Sequence, residues 1–166
     1  MKPLEGIKIL EFSTMITASF AAMMLAEQGA EVIKVEPIDL GDPMRYLGSS
    51  KGGISALFAN CNRGKRSLRI DLKNDAGRKV VEQLAVDTDV LLTNYRPGVM
   101  DGLGLGSDHL RSLNPRLIVG AVSGFGIEGP HRNAPAYDPI IQASAGFAAV
   151  QSQGKDSSEF FQTLIC

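Results

Sequence analysis

Four short segments of this chain combine side chains that could bind an anion or hold a reacting group. The first, Ser13–Ala18, is small and largely polar and leads straight into a predicted helix. Free backbone N–H groups and the positive end of the helix dipole make a helix N-terminus favourable for phosphate or carboxylate. The alternative is that these residues only cap the helix.

The second segment, Asn60–Ser67, places three cations within four positions: Arg63, Lys65 and Arg66. Such a cluster can bind a phosphate through charge-assisted hydrogen bonds, which Arg makes in bidentate form. A solvated basic loop is equally compatible with the sequence. No aromatic residues alternate with these cations, which argues against nucleic acid as the partner.

The third segment, Asn94–Gly98, follows a predicted strand and contains an amide, an aromatic ring and a guanidinium before a Pro-Gly turn. This combination suits a nucleotide-like ligand, since the ring can stack and the guanidinium can pair with phosphate. Tyr95 could instead simply cover the edge of the sheet.

The fourth segment, Ser123–Pro130, matches G-x-G-x-x-G, but Pro130 and Pro135 prevent the helix that a dinucleotide site needs. It is therefore interpreted as a glycine loop whose N–H groups could approach a reacting carbonyl oxygen. Just beyond it, Asp138 follows Tyr137 in apolar company, where its pKa could be perturbed or where it could cap a helix.

The composition restricts the class of protein. Of 166 residues, 44% are hydrophobic and 21% charged, and 17 basic residues against 18 acidic ones give a net charge of −1. These values predict a globular domain without the positive field that attracts nucleic acid or an anionic membrane. Cys61 and Cys166 are too few for a disulfide scaffold, so we expect a cytoplasmic location. Neither they nor the two histidines have metal-ligand spacing, so we expect no metal.

Strands and helices alternate along the sequence. The predicted strands are Ile7–Phe12, Glu31–Glu36, Ser67–Leu72, Asp89–Thr93 and Leu117–Val122. The predicted helices are Ala18–Gln28, one capped at Asn74 or Asp75, one from Ser107 to before Asn114, and Ile140–Phe147. Strands that are mostly apolar on both faces predict a Rossmann-like, doubly wound α/β fold with a mainly parallel sheet and helices on both faces.

Two further features follow from the pattern. Residues 37–53 are rich in Gly, Pro and Ser and predict a loop without regular structure. The helix after Asn74 is expected to bury one face, formed by Ala76, Val80, Val81, Leu84 and Ala85. We expect one α/β domain over residues 1–150, and residues 151–166 as the start of a continuation of an incomplete chain.

Taken in order, these motifs resemble the family III CoA-transferases and the related α-methylacyl-CoA racemases. The matching segments are Pro3–Phe12, Leu25–Glu36, Gly41–Asp42, Asn62–Ser67, Asp71–Lys73, Asp89–Gly98, Leu113–Pro115, Ser123–Gly126 and Gly129–Pro130. The resemblance runs the length of the chain. It implies a Rossmann-like N-terminal portion that binds coenzyme A, in a longer protein whose two subunits interlock as a homodimer.

The resemblance also implies a reaction between an acyl-CoA and a carboxylic acid. An aspartate attacks the thioester, and CoA passes through an aspartyl intermediate to the acceptor acid. In relatives that aspartate follows an apolar stretch resembling Gln162–Cys166, so this chain is expected to lack it and to be inactive alone.

Carried over residue by residue, the resemblance assigns Tyr137 and Asp138 to the thioester end. The implied CoA contacts are Met15, Ile16, Thr17, Ala18, Lys34, Ile70, Leu72, Asn94, Tyr95 and Arg96.

Two alternatives stay open at this point. A racemase would use a histidine base where this chain has Tyr137, and a phenol with a pKa near 10 is a poor base at neutral pH. Ile16 also replaces a glutamine of formyl-CoA transferase, which argues against formate or oxalate as substrate. The other alternative is a non-catalytic fragment that binds CoA or another nucleotide.

Overall fold

A computed structural model describes residues 1–152. Residues 153–166, with the apolar stretch Gln162–Cys166 and nearly all of the predicted continuation, lie outside the described residues. The chain divides into two compact units, Met1–Val122 and the segment from Ser123 onward.

The first unit alternates strands with helices, as the sequence predicts. Its strands are β1 (Lys8–Phe12), β2 (Glu31–Pro37), β3 (Ser50–Lys51), β4 (Ile54–Ser55), β5 (Lys65–Ile70), β6 (Val90–Thr93) and β7 (Ile118–Ala121). Its helices are α1 (Thr17–Glu27), α2 (Ala56–Cys61), α3 (Asp75–Val86), α4 (Val99–Gly102) and α5 (Ser107–Leu113). The second unit contains α6 (Asp138–Ser144) and α7 (Phe147–Gln151).

Five of the strands form one parallel sheet in the order β5-β2-β1-β6-β7. The chain builds outward from β1 through β2 to β5 and then crosses to β6 on the other side of β1. This order confirms the predicted Rossmann-like α/β fold. In such sheets the strand order reverses at one point, here between β1 and β6, and the crevice at their carboxyl ends is where ligands bind.

Two apolar cores cover the two faces of the sheet. One joins Leu10 and Phe12 of β1 to Val81 of α3 and Leu110 of α5. The other joins Ile9 of β1 and Val32 of β2 to small residues of α1, namely Ala22 and Ala26. Helices therefore lie on both faces, because successive strand residues point to opposite sides.

The face under α1 is not apolar throughout, so the expectation of strands that are apolar on both faces is wrong there. With a period of two, Ile9 is followed by Glu11 on β1, and Val32 is followed by Lys34 and Glu36 on β2. The side chains of Glu11, Lys34 and Glu36 are at most 1% exposed. This face changes from apolar to charged towards the carboxyl end of the sheet.

Three local predictions are corrected. The 37–53 loop contains a 3-10 turn, Pro43–Tyr46, capped by Asp42, and the strand β3 of a small antiparallel hairpin. On α3, Ala76 and Val80 are exposed, because the buried stripe runs through Gly77 instead. The predicted helix Ile140–Phe147 is two helices, separated where Gly146 takes a left-handed φ of 81°.

A buried carboxylate ties the loop after β2 to the sheet. Glu36 accepts hydrogen bonds from the Asp42 amide (2.8 Å), from Arg45 Nε and Nη2 (2.8 and 2.7 Å) and from Ser67 Oγ (2.6 Å). Arg45 also lies over the Phe58 ring, 3.9 Å from its centroid. Burial alone would raise the pKa of Glu36, but these bonds outweigh it and lower the pKa from 4.5 to about 2.

This lowered pKa predicts a loss of stability in acid. Because the folded-state pKa lies below the usual value, Glu36 contributes its full stability above pH 4.5 and loses it as the pH falls towards 2. The loss should be on the order of 3 kcal/mol. Urea unfolding should show that the free energy of unfolding of the wild type falls with pH across this range. This slope should be absent in Glu36→Gln. Glu31→Gln, an exposed site on the same strand, should keep the slope; an unchanged slope in Glu36→Gln would contradict the assignment.

Gly77 provides a steric test of the fold. A Cβ at this position would meet the backbone carbonyl oxygen of Asp71 far inside van der Waals contact. We expect Gly77→Ala to lower the free energy of unfolding by about 1–3 kcal/mol. Gly102→Ala is the control, because a Cβ there meets nothing within 4 Å and alanine favours helices. Equal effects of the two changes in thermal unfolding would contradict this packing.

Candidate functional site

The candidate site lies where the carboxyl ends of β1 and β6 meet. β1 pairs directly with β6, and the last pair in register is Phe12 with Thr93. The chain leaves β1 through Ser13–Ile16 into α1 and leaves β6 through Asn94–Arg96. The fold thus brings the first and third segments singled out in the sequence to one edge.

Asn94 joins these two segments. Its Oδ1 accepts the Thr14 amide N–H at 3.0 Å, and its Nδ2 donates to the Thr14 carbonyl at 2.7 Å and to Thr17 Oγ1 at 3.1 Å. One amide side chain therefore satisfies both backbone groups of Thr14 and reaches the first residue of α1. Its predicted role as a CoA contact remains a prediction, and its structural role is to hold the β1–α1 loop.

The β1–α1 loop contains an unusual backbone conformation. Met15 has a φ of 62°, in the left-handed region that side chains other than glycine rarely adopt. Ile16 occupies the N-cap of α1 and provides no side-chain cap, which contradicts the interpretation of this segment as a simple cap. Within residues 1–152, no acceptor takes the N–H groups of Thr17 and Ala18. These groups remain available as donors at the site edge.

Lys34 lies beneath this loop and is 1% exposed. Its Nζ donates to Glu11 Oε1 (2.9 Å), Ser13 Oγ and O (2.9 and 3.0 Å) and Ser19 Oγ (3.0 Å), and lies 3.0 Å from Asp42 Oδ2. An ammonium group surrounded in this way has no donor left for a ligand. We therefore assign Lys34 to the support of the loop, not to ligand contact.

Lys65, on β5, completes a buried charge cluster with Glu11, Lys34 and Asp42. Its Nζ lies 2.7 Å from Glu11 Oε2 and donates to the Ser19 carbonyl (2.7 Å) and to Asn62 Oδ1 (2.9 Å). Burial lowers the pKa of Lys65, while the attraction of Glu11 opposes that shift. The cations of Asn60–Ser67 are all paired with carboxylates, because Arg63 pairs with Glu27 and Arg66 with Glu31. The structure therefore favours neither a phosphate clamp nor a simple solvated loop for this segment.

Tyr95 and Arg96 occupy the β6 side of the site. The Tyr95 ring packs edge-on against Phe12, with 6.5 Å between centroids, and burial raises the pKa of its phenol, which stays neutral at pH 7. The Arg96 side chain is exposed and has no ion-pair or hydrogen-bond partner within residues 1–152. Ile70 and Leu72, at the end of β5, pack against the apolar core as Tyr95 does.

In the second unit, Tyr137 is the N-cap of α6 and is 63% exposed, while Asp138 begins the helix and is 8% exposed. Gln142, one turn later, donates its Nε2–H to Asp138 Oδ2. In the glycine loop, a Cβ at Gly124 would overlap that of Ala136, so glycine is needed where these two segments approach. The predicted catalytic roles of Tyr137 and Asp138 remain predictions.

Two absences hold for residues 1–152 alone. No three His, Cys, Asp or Glu side chains there are grouped so that they could hold a metal ion. In the same span, every helix is too short or too polar to cross a membrane.

Sequence reasoning missed Glu11 and Asp42 as parts of this site. Asp42 was visible only as half of the Gly41–Asp42 motif, in a segment interpreted as an irregular loop. Glu11 could have been found from the alternation on β1, since its strand neighbours two residues away are Ile9 and Ser13 on the same side.

Known proteins resemble this chain over most of its length. Residues 4–165 match the model of the protein family described as CoA-transferase family III. An acyl-CoA transferase of Fusarium pseudograminearum is 42% identical over 159 residues, which are 90% of this chain and 35% of that protein. An acetyl-CoA:oxalate CoA-transferase of Acetobacter aceti is 40% identical over 144 residues, 87% of this chain and 37% of that one.

Among solved structures, the hypothetical protein Rv3272 of Mycobacterium tuberculosis superposes with a TM-score of 0.91 at 34% identity, covering 99% of this chain and 46% of its own. The chain thus spans little more than a third of the length of the two curated relatives. Because the family match covers residues 4–165, this chain belongs to CoA-transferase family III.

Proposed function

We propose that this chain binds coenzyme A at the carboxyl edge of β1 and β6, as the CoA-binding part of an acyl-CoA:carboxylate CoA-transferase. The observation that carries the proposal is the edge itself. The amides of Thr17 and Ala18 and the guanidinium of Arg96, none of which has a partner in the described part of the chain, follow two adjacent strands where the strand order reverses. Family membership indicates which anionic ligand such an edge would take.

The polar groups of this edge suit the phosphates of coenzyme A. A helix N-terminus and an arginine both favour negative charge, and Arg forms bidentate bonds with phosphate. The neutral, partly buried Tyr95 offers an apolar surface beside them. We propose for Lys34 a supporting role instead of CoA contact. We retain the other residues predicted to contact CoA, namely Met15, Ile16, Thr17, Ala18, Ile70, Leu72, Asn94, Tyr95 and Arg96.

The proposed reaction needs an aspartate from outside the described residues. Its carboxylate oxygen attacks the thioester carbon, the C–S bond breaks, and CoA leaves as thiolate with a mixed anhydride formed. The thiolate then attacks the aspartyl carbonyl and releases the donor acid as carboxylate, giving an aspartyl-CoA thioester. The acceptor carboxylate then attacks the aspartyl-CoA thioester and displaces CoA thiolate, which gives a second mixed anhydride. The thiolate attacks the acceptor's carbonyl in this anhydride, which forms the new acyl-CoA and restores the aspartate.

We further propose that the whole protein works as a homodimer. Exposed apolar side chains gather between positions 38 and 54, with Ile38, Leu40, Tyr46 and Ile54 each more than half exposed. Apolar side chains gathered on one surface segment are typical of regions covered by another polypeptide. This surface supports the proposal without defining the partner's residues.

Coenzyme A binding tests the proposal directly. We expect isothermal titration of the 166-residue chain with CoA to show saturable binding, and Arg96→Ala to weaken it about 10- to 100-fold, the loss for a charged hydrogen bond to phosphate. Arg116→Ala is the matched control, because Arg116 is exposed and precedes β7 at the opposite edge of the sheet. No heat in the wild type, or equal loss in both variants, would refute the site.

The proposed position of Asp138 at the thioester end of the site is tested in the whole protein. We expect Asp138→Asn to lower kcat for CoA transfer between an acyl-CoA and a carboxylic acid by about 100-fold or more, the range for loss of a positioned acid or base. Asp108→Asn, an exposed aspartate of α5, should leave kcat unchanged. Exchange of α-protons in deuterated water without CoA transfer would instead favour the racemase alternative.

A further inference from the structure

We infer that Asp42 is a positioning residue that holds Met15 in its left-handed conformation and so presets the first turn of α1 for its ligand. The ligand part of this inference rests on the proposed function, whereas the loop part rests on geometry alone. Asp42 lies in the loop after β2, and its side chain is 0% exposed.

The Asp42 carboxylate connects three segments of the chain. Its Oδ1 accepts the amide N–H groups of Met15 (3.2 Å) and Met44 (2.9 Å), and its Oδ2 lies 3.0 Å from Lys34 Nζ. Its backbone amide donates to Glu36 Oε2 at 2.8 Å. Asp42 is therefore fixed on β2 at both its side chain and its backbone, while it holds the loop that follows β1.

The conformation of Met15 explains why such a hold is needed. A residue with a side chain at φ 62° is less stable than in the extended or right-handed helical regions, so it persists only where its surroundings impose it. The hydrogen bond from its amide, 3.2 Å long, ends on a buried carboxylate and is therefore charge-assisted. The next residue but one, Thr17, begins α1, so a change at Met15 would redirect the free amides of that helix.

Lys34 contacts both Asp42 and the start of the β1–α1 loop at Ser13. The same ammonium that contacts Asp42 also donates to the carbonyl and hydroxyl of Ser13, two residues before Met15. The loop is thus fixed by Lys34 at Ser13, by Asn94 at Thr14 and by Asp42 at Met15. Asp42 is enclosed, so it acts on a ligand through Met15 and not by direct contact.

The loop part is tested by amide hydrogen exchange of Met15 in the 166-residue chain, followed by NMR. We expect Asp42→Ala to speed exchange of this amide at least 10-fold while the amides of β1 keep their protection. Asp42→Asn keeps an acceptor oxygen, so its effect should be several-fold smaller. Asp39→Ala removes the same charge from an exposed position of the same loop and should change nothing.

The positioning role is tested by a second substitution, Met15→Gly. Glycine adopts a positive φ without a holding partner. Asp42→Ala should therefore weaken CoA binding about 10-fold in the Met15 protein but less than 3-fold in the Met15→Gly background. A residue that only stabilises the domain would lower affinity and Tm equally in both backgrounds.

Each result decides the inference. Unchanged Met15 exchange in Asp42→Ala, or equal affinity losses in the two backgrounds, would overturn it. If Asp42→Ala does not fold, the same comparison is made with Asp42→Asn. Faster Met15 exchange and a loss of affinity confined to the Met15 background would support the inference. The absence of these effects would overturn it. If the wild type binds no CoA while Met15 exchange still depends on Asp42, the proposed function fails and the loop part stands.

Discussion

The buried contact of Lys34 with Glu11 and Asp42 is the interaction on which the candidate site depends. Ion pairs of this kind are expensive, because removing the charges from water often costs as much free energy as their attraction returns. Here the charges also make hydrogen bonds to Ser13 and Ser19, which fix the chain on either side of Met15. The cluster is therefore better understood as a device that selects one loop conformation than as a source of stability.

The position of the cluster follows from the alternation of side chains along β1 and β2. The amino-terminal half of the α1 face is closed by Ile9, Val32 and the alanines of α1, which need no polar partners. The carboxyl-terminal half carries Glu11, Lys34 and Glu36, whose charges must be satisfied by loops that fold back over them. One face thus combines an apolar core with buried charged residues that hold the loops. These charged residues lie at the edge where the strand order reverses.

The parallel sheet and its helices could be predicted because the apolar runs and the Asn74 cap depend on local sequence. The charge cluster could not be predicted, since it joins residues from β1, β2, β5 and the loop at Asp42 that are distant in sequence. The same limit applies to Lys34, because a lysine beside a ligand and a lysine buried under a loop have the same local sequence. On α3, periodicity alone favoured Val80, but the close approach of Gly77 to Asp71 rotates the buried stripe.

Exposure separates the two kinds of cation that the sequence presents as equivalent. Lys34 and Lys65 have their donors taken by Glu11 and neighbouring oxygens, so both are committed to the scaffold. Arg96 has no such partner within the described residues and extends from the strand next to β1. Within residues 1–152, the internally neutralised charges lie beside the Arg96 guanidinium and the Thr17 and Ala18 amides, which have no partner there. This is the arrangement expected of a site that binds a phosphate-bearing ligand without rearranging. On this view, binding is provided by groups that the scaffold leaves unpaired, and selectivity for the loop conformation by groups that it buries.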